Sequence, residues 1–258
     1  MGTVDVTRRP LLSASVSRGR RSTTGTGYHI VRSFRPFPPL DSSGVAPRLQ
    51  RPREGWPLAR AAGILGYALP AGALEPISLW LDRLTEWNAR VDLTAARGAD
   101  ELVDLMLVDA LILSTRVPVG ARVVDVGTGG GAPGLALAFL RPDLSVTLVE
   151  PLGKRGAFLR SVIGAANRID VTLLGKTGEA LARSGAEAWD VALSRATLPP
   201  AAWLALAARL LAPRGSAWVF LARESAPTLE DMTQSDALGY PWPLTGAERR
   251  LVRYEKRA

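Results

Sequence analysis

Apolar residues follow two different periods along this chain. Between residues 58 and 113 they recur at intervals of three and four, which is typical of amphipathic helices. The first predicted helix carries an apolar stripe formed by Leu74, Ile77, Leu81, Leu84 and Trp87. A second helix is predicted over residues 99–114. From residue 122 onward the apolar residues form short runs bounded by glycine or proline, which alternate with helical segments. This alternation predicts a mostly parallel sheet flanked by helices.

The predicted strands lie at 123–126, 146–149, 171–174, 189–193, 216–221 and 250–255, with helices at 135–140, 154–166 and 200–211. The first strand leads into Gly127-Thr128-Gly129-Gly130-Gly131, which forces a sharp turn because glycine adopts positive φ freely. Pro133 suits the first turn of the helix that follows. Strand, glycine turn, helix, strand and a terminal acid, Glu150, make the first half of a nucleotide-binding βαβ unit.

Composition separates the first 54 residues from the rest. This segment contains ten arginines and three acidic residues, so it holds +7 of the formal net charge of +8. It is rich in Arg, Ser, Thr, Gly and Pro and is predicted to be disordered. A transit peptide, an arm that contacts RNA, and a wrongly assigned start codon are alternatives. We therefore predict a tail at 1–54, a small helical extension at 55–116 and a ligand-binding α/β domain at 117–258.

Composition also excludes several kinds of chemistry. The sequence has no cysteine, so it has no disulfide, no thiolate nucleophile and no cysteine-based metal site. Its one histidine, His29, lies in a polar segment, and no metal is expected. No apolar run reaches the roughly 18 residues of a membrane span, so no membrane contact is expected. Beyond residue 54 the chain is nearly neutral, and charge alone does not predict a nucleic-acid partner there.

The glycine loop and its flanking acids suggest a ligand. Gly127, Gly129 and Ala132 fit the relaxed dinucleotide fingerprint, and Glu150 stands where an acceptor for ribose hydroxyls is expected. Asp125 precedes the loop, where its charge would be repelled by dinucleotide phosphates but attracted by the sulfonium and ammonium of S-adenosylmethionine. We therefore favour S-adenosylmethionine over NAD. In a third interpretation the glycines only make a tight turn.

The type of methyl transfer can be narrowed by what is absent. Methylation of pyrimidine C5 usually needs a cysteine nucleophile. Methylation of exocyclic amines commonly uses an Asn/Asp-Pro-Pro-aromatic loop after the fourth strand, where this chain has Ser194-Arg195-Ala196-Thr197. The N7 atom of guanine has a free lone pair, so its methylation needs no general base. Alignment of that lone pair with the methyl group then supplies most of the rate acceleration.

Two charged residues are candidates for the active site. Arg195 stands at the carboxyl end of a strand, where it could donate to guanine O6 or fix the cofactor. The alternative is an arginine at the surface or paired with a carboxylate. Asp109 lies among apolar helix residues. It is either at an exposed edge, which is the simpler expectation, or a buried carboxylate with a partner.

Several motifs resemble one known family, the bacterial small-subunit (16S) rRNA guanine-N7 methyltransferases of the RsmG or glucose-inhibited division B (GidB) type. The resemblance covers residues 60–256, and the tail lies outside it. It is carried by Val124-Asp125-Val126-Gly127-Thr128-Gly129-Gly130-Gly131-Ala132-Pro133-Gly134, Arg141-Pro142, Leu152-Gly153-Lys154-Arg155, Trp87-Asn88-Ala89-Arg90-Val91-Asp92-Leu93-Thr94, Ser194-Arg195-Ala196 and Glu248-Arg249-Arg250-Leu251-Val252.

The resemblance implies a Rossmann-like S-adenosylmethionine-dependent methyltransferase fold, with cofactor binding by the domain at 117–258. It implies Arg195 and Asp109 as catalytic residues, and a cofactor site formed by Asp125, Gly127, Gly129, Ala132, Glu150, Gly178, Glu179 and Arg195. There Glu150 takes the ribose, and Gly178 and Glu179 flank the adenine. The implied partner is small-subunit rRNA or the small ribosomal subunit, and the enzyme is expected to be cytoplasmic and monomeric.

The chain departs from the family pattern in two places. Where the family usually has His-x-x-Asp-Ser, this chain has Met106-Leu107-Val108-Asp109-Ala110, and the usual Leu-Lys-Gly is Leu221-Ala222-Arg223. Both departures are expected near the RNA entrance. Alternatives are therefore a methyltransferase for another RNA or a small molecule, or a relative that binds cofactor or ribosome without turnover. A dehydrogenase is disfavoured because no hydride-transfer acid is found.

Overall fold

The structure is a computed structural model that describes residues 49–185 and 188–257. Most of the predicted tail at 1–54 lies outside the described residues. Within its described part, Arg51 donates to Asp82 of a helix at 2.8 Å, and the nearby indole of Trp56 donates to the same carboxylate at 2.8 Å. The residues just before the predicted boundary therefore contact the folded part, and the domain boundaries stay a prediction.

Within the described residues, seven strands form one sheet. They are β1 (Arg122–Val126), β2 (Ser145–Val149), β3 (Thr172–Leu174), β4 (Trp189–Ser194), β5 (Leu211–Leu221), β6 (Met232–Pro241) and β7 (Glu248–Lys256). The order is β3-β2-β1-β4-β5-β7-β6. Strands β1 to β5 are parallel, whereas β7 is antiparallel to both β5 and β6. The predicted fold class, a mostly parallel sheet flanked by helices, is confirmed.

The helices cover both faces of this sheet. They are α1 (Leu58–Ile64), α2 (Leu74–Asn88), α3 (Ala99–Val103), α4 (Asp109–Ser114), α5 (Gly134–Leu140), α6 (Gly153–Ala165), α7 (Gly178–Arg183) and α8 (Pro200–Leu210). Side chains alternate across β1: Val123 joins the core with α1 to α6, and Val124 and Val126 join the core with α7 and α8. By the same alternation Asp125 shares the face of Val123.

The helices before β1 belong to the same hydrophobic core as the sheet. Ile77, Leu81 and Leu84 of the predicted stripe are fully buried, but Leu74 is 41% exposed because it begins the helix. Trp80, which the stripe did not include, is fully buried, and its indole nitrogen donates to the carbonyl of Gly130 at 2.8 Å. The helical extension therefore packs directly against the glycine turn.

The helix predicted over residues 99–114 forms, but it contains a π-helical turn at Asp104–Val108 between α3 and α4. Such turns are often found at functional sites. Both residues that border it, Asp104 and Asp109, are buried. Asp104 accepts hydrogen bonds from the backbone of Leu244 and Thr245, and burial raises its pKa. The expectation that Asp109 lies at an exposed edge is wrong, because two donors from other elements reach its carboxylate.

Two elements were missed by the apolar pattern. Strand β6 has buried residues only near its ends, Met232 and Tyr240, and exposed residues at 233–237 between them, because it is the edge strand of the sheet. Helix α7 has only six residues. The hydroxyl of Thr177 caps it by accepting from Ala180 at 3.2 Å, a signal that the sequence does contain. No helix in the described ranges is long and apolar enough to span a membrane.

Candidate active site

The glycine turn between β1 and α5 is held in a conformation that only glycine adopts readily. Gly127, Gly129 and Gly131 have φ of 70°, 58° and 105°. The turn lies at the carboxyl edge of the parallel strands, which is where ligands bind in open α/β sheets. Ala132, at the end of the turn, is buried. The predicted strand, turn and helix are thus all present.

Asp125, in β1, stabilises this turn through two hydrogen bonds. One of its carboxylate oxygens, Oδ2, accepts from the hydroxyl of Thr128 at 2.7 Å and from the backbone of Gly134 at 2.8 Å. A side chain at 134 would not fit, because its Cβ would lie 2.6 Å from Cβ of Asp125. The other oxygen, Oδ1, is buried without a hydrogen-bond partner. Burial raises the pKa of Asp125 to about 6, although the bond from Thr128 opposes that shift.

Glu150 ties the turn to the end of β2. Its Oε2 accepts from the backbone of Gly129 at 2.9 Å, and its Oε1 accepts from the backbone of Leu152 at 2.9 Å. Each carboxylate oxygen has two lone pairs, so both oxygens keep acceptor capacity. Gly129 is half-buried, and a methyl group added there would meet no atom closer than 3.9 Å. A methyl group would therefore fit at Gly129 without a clash, and the carboxylate of Glu150 binds the backbone of the same residue.

Gly127 has a different neighbour from the one that the sequence suggests. Its missing side chain leaves room for Thr197, since an added Cβ would lie 2.9 Å from Cβ of Thr197 and closer still to its Oγ1. That hydroxyl lies 3.2 Å from the carbonyl of Gly127. On the side where a side chain of residue 127 would lie, the space is therefore filled by Thr197. The preceding residue, Ala196, has a φ of 56°, an uncommon backbone conformation for alanine.

Arg195 is brought together with Asp109 at the end of β4. Its Nη1 donates to Oδ2 of Asp109 at 2.9 Å and also to the carbonyl of Leu105 in the π-helical turn. The hydroxyl of Tyr240 donates to the other carboxylate oxygen, Oδ1, at 2.7 Å. The arginine side chain is 18% exposed, and the aspartate side chain only 4%. Arg195 is therefore paired with a carboxylate, and its role in the active site stays a prediction.

The last two predicted site residues lie on α7, which follows β3. Gly178 begins this helix, and a Cβ there would lie 2.6 Å from Val126 and 2.8 Å from Leu206. Packing alone thus accounts for a glycine at this position. Glu179 is half-buried in the first turn of the helix. Their predicted contact with adenine stays a prediction.

Sequence reasoning missed four residues of the site: Thr128, Thr197, Tyr240 and Trp80. Thr128 and Thr197 stand in motifs already singled out, so their positions were available but their contacts were not. Tyr240 and Trp80 come from elements distant in the chain, and no local pattern relates them to the turn.

The two departures from the family pattern differ in their exposure, and their expected place near the RNA entrance stays a prediction. Met106 and Ala110 are buried, and a methyl group added at Gly130 would lie 3.2 Å from Cε of Met106. Met106 therefore packs against the glycine turn, because the π-helical turn directs it inward. Ala222 is exposed after β5. Within the described ranges no three His, Cys, Asp or Glu side chains cluster as metal ligands do.

Comparison with known structures agrees with this architecture. A protein from Klebsiella pneumoniae that carries an O-methyltransferase description matches with a TM-score of 0.52 and 18% identity, over 79% of this chain and 98% of that one. At this identity the likeness concerns the fold alone. The parallel sheet, the glycine turn and the acid after β2 together define a Rossmann-like fold of the kind that binds nucleotides.

Comparison with known sequences gives the family. The model of the family described as GidB, rRNA small subunit methyltransferase G, matches residues 73–237. A ribosomal RNA small subunit methyltransferase G from Anaeromyxobacter dehalogenans (strain 2CP-C) is 34% identical over 78% of this chain and 96% of its own length. One from Geobacter sp. (strain M21) is 32% identical over 76% and 94%. This chain belongs to the GidB family, and the predicted resemblance is confirmed.

Substitution of two turn glycines tests whether Thr197 fills the space above Gly127. Both Gly127→Ala and Gly129→Ala put alanine at positive φ, which costs about 1–2 kcal/mol. Only the methyl group at 127 also overlaps Thr197, so we expect Gly127→Ala to lose about 1–3 kcal/mol more in the free energy of unfolding. Urea denaturation of the two variants measures this difference. Equal losses would show that Thr197 does not occupy that space.

Asp125→Asn tests the buried carboxylate through the pH dependence of stability. The pKa of Asp125 is raised from 3.8 to about 6, so the folded state keeps a proton that the unfolded state releases. Its contribution to stability is full below about pH 4 and is lost as the pH rises through about 6. Asparagine has no proton to lose. From about pH 4 to about pH 7, the free energy of unfolding should shift in favour of the variant by up to about 3 kcal/mol.

Asp143→Asn is the control for this measurement. A hydrogen bond from Arg141 lowers the pKa of Asp143, so this carboxylate stabilises the folded state above about pH 4 and the contribution is lost as the pH falls. The difference in stability between Asp143→Asn and wild type should therefore stay constant from about pH 4 to about pH 7. A difference between Asp125→Asn and wild type that stays flat from about pH 4 to about pH 7 would contradict a raised pKa at Asp125.

Proposed function

We propose that this chain transfers a methyl group from S-adenosylmethionine to N7 of one specific guanine in small-subunit ribosomal RNA. The observation that carries the proposal is the family match, which spans the glycine turn, the acid after β2 and the Ser194-Arg195-Ala196 segment. The relatives are named as methyltransferases of small-subunit ribosomal RNA, and the alignment covers nearly their whole length. Because that substrate is part of the ribosome, we propose that the protein acts in the cytoplasm. We also propose that it acts as a monomer.

The residues at the glycine turn fit S-adenosylmethionine. The backbone of Gly129 is bound by the carboxylate of Glu150, whose two oxygens keep acceptor capacity for two ribose hydroxyls. Asp125 adds a buried negative charge below the turn, where a cationic ligand is favoured. In this proposal Gly127, Gly129 and Ala132 border the cofactor, and Gly178 and Glu179 flank the adenine. When bound, S-adenosylmethionine supplies an electrophilic methyl group on a sulfonium.

The protein has little acid–base chemistry to perform for such a transfer. Guanine N7 attacks with a lone pair that carries no proton, so no general base is required, and the only histidine is His29 in the tail. The main task is to hold the base in line, which proximity and orientation accomplish. The planar guanidinium of Arg195 can donate to guanine O6, as arginine does when it reads guanine. In the proposal Asp109 orients that guanidinium.

Arginines at the rim of the site suit an RNA substrate. Arg223 follows β5 and is exposed, and Arg250 at the start of β7 is exposed and pairs with Leu221 at the end of β5. Both therefore lie at the carboxyl edge of the parallel strands, the edge at which Arg195 follows β4. Neutralisation of RNA phosphates by such residues supplies affinity that depends strongly on salt.

The decisive experiment supplies purified protein with methyl-labelled S-adenosylmethionine and small ribosomal subunits that lack their native N7-methylguanine. We expect label as N7-methylguanine at one site of the RNA.

Glu150→Gln should raise the Kd for the cofactor roughly ten- to a hundredfold, since one charge-assisted acceptor is lost. The exposed Glu75→Gln on α2 is the matched control. Cofactor binding without label in the RNA would contradict the proposed substrate.

The rim arginines are tested by the salt dependence of RNA binding. For Arg223→Ala and Arg250→Ala we expect the slope of log affinity against log salt to fall by about 0.7–0.9 each, because each loses one phosphate contact. Arg209→Ala is the control, since this exposed arginine ends α8 at the opposite edge of the sheet. Binding titrations between 50 and 200 mM salt, typical conditions for such slopes, measure this. Equal slopes in all three variants would refute a role for the rim.

A further inference from the structure

Three polar side chains from distant parts of the chain meet inside the protein. Asp109 accepts from Arg195 on Oδ2 at 2.9 Å and from the hydroxyl of Tyr240 on Oδ1 at 2.7 Å. Asp109 is 3% exposed and Tyr240 is 5% exposed. Each carboxylate oxygen therefore has one side-chain donor, and the two donors approach from β4 and from β6.

Asp109 depends on these two donors because its own helix offers none. Met106, one turn before Asp109, and Leu113, one turn after it, are apolar and buried, and so is the adjacent Ala110. A buried carboxylate without donors is costly, so the loss of either partner leaves the charge poorly satisfied. The hydroxyl remains a donor at ordinary pH, since burial and then the charge of Asp109 raise the pKa of Tyr240.

The position of Tyr240 is itself fixed by the same helix. Asp104, at the start of the π-helical turn, accepts from the backbone of Leu244 and Thr245, which follow β6. Thr245 adds a second bond through its hydroxyl at 2.8 Å. The two carboxylates that border the turn thus both bind the segment around the end of β6.

Arg195 is held by the helix through one nitrogen. Both N–H groups of Nη1 are used, one by Asp109 and one by the carbonyl of Leu105. The other three N–H donors of a guanidinium lie on Nε and Nη2. The direction in which these donors point is therefore set by how firmly Asp109 is held.

We propose that Tyr240 is a positioning residue: its hydroxyl fixes Asp109, and Asp109 fixes the guanidinium of Arg195 at the edge of the active site. The inference rests on the proposed function, in which Arg195 contacts the guanine. Because Met106 and Ala110 are apolar, they donate no side-chain hydrogen bond to Asp109. Tyr240 supplies the second side-chain hydrogen bond, beside the one from Arg195.

Tyr240→Phe tests the proposal, with Tyr254→Phe as the matched control. Tyr254 is also a buried tyrosine of the β6–β7 hairpin, and its hydroxyl donates to the carbonyl of Pro227 at 2.5 Å, away from Asp109. For Tyr240→Phe we expect kcat to fall roughly tenfold, with the Kd for cofactor and the KM for RNA within about twofold of wild type. Tyr254→Phe should keep kcat. Equal values of kcat in the two variants would overturn the proposal.

A double variant shows whether Tyr240 acts through Asp109. Once Asp109→Asn has weakened the pairing with Arg195, we expect addition of Tyr240→Phe to lower kcat by less than about twofold. If the second substitution again lowers kcat tenfold, the tyrosine acts by another route, and the proposal is wrong.

A chemical probe separates this proposal from the proposed function. A dicarbonyl reagent modifies arginine guanidinium groups, and peptide mass spectrometry follows the rate at Arg195. We expect that rate to rise about threefold or more in Tyr240→Phe and to stay unchanged in Tyr254→Phe. This measurement needs no turnover, so it decides the role of Tyr240 even if wild type methylates no RNA. An unchanged rate at Arg195 in Tyr240→Phe would overturn the proposal.

Discussion

The buried carboxylate of Asp125 is the constraint on which the geometry of the site depends. It stands at the end of the central strand, with one oxygen shared between Thr128 and the backbone of Gly134. Those two bonds join the start of the glycine turn to the start of α5, so the turn and the helix keep one relation to the sheet. Burial of a carboxylate is unfavourable unless it is hydrogen-bonded, and here only one oxygen is. The raised pKa of Asp125 is the electrostatic consequence of this arrangement.

The turn is supported from two further sides. Glu150 binds the backbone of Gly129 from the neighbouring strand, and Trp80 binds the carbonyl of Gly130 from α2. The helical region before β1 therefore supports the ligand-binding loop, because an indole from that region satisfies a buried carbonyl of the turn. The family match, which begins at residue 73, includes this helix.

A second polar network connects Arg195, at the carboxyl end of β4, to the hairpin formed by β6 and β7. Asp104 and Asp109 border the π-helical turn, and their partners are Arg195, Tyr240 and the segment after β6. One short irregularity in a helix thus fixes the orientation of two other elements. Met106 and Ala110 stand at the positions where the family usually has histidine and serine. Tyr240, which donates to Asp109, is far from both in the sequence.

The sequence by itself determined the parallel sheet, the glycine turn, helix α2, the helical segment of α3 and α4, and the family, because hydrophobic period and glycine position act over a few neighbouring residues. It also placed Asp125, Glu150 and Arg195 at strand ends. It did not determine β6, whose exposed interior lacks an apolar period, or the side of the helix that Asp109 faces. The tertiary structure decided those, together with the contacts of Trp80, Thr197 and Tyr240. Such contacts join residues far apart in the chain, so they depend on how the elements pack and not on any local pattern.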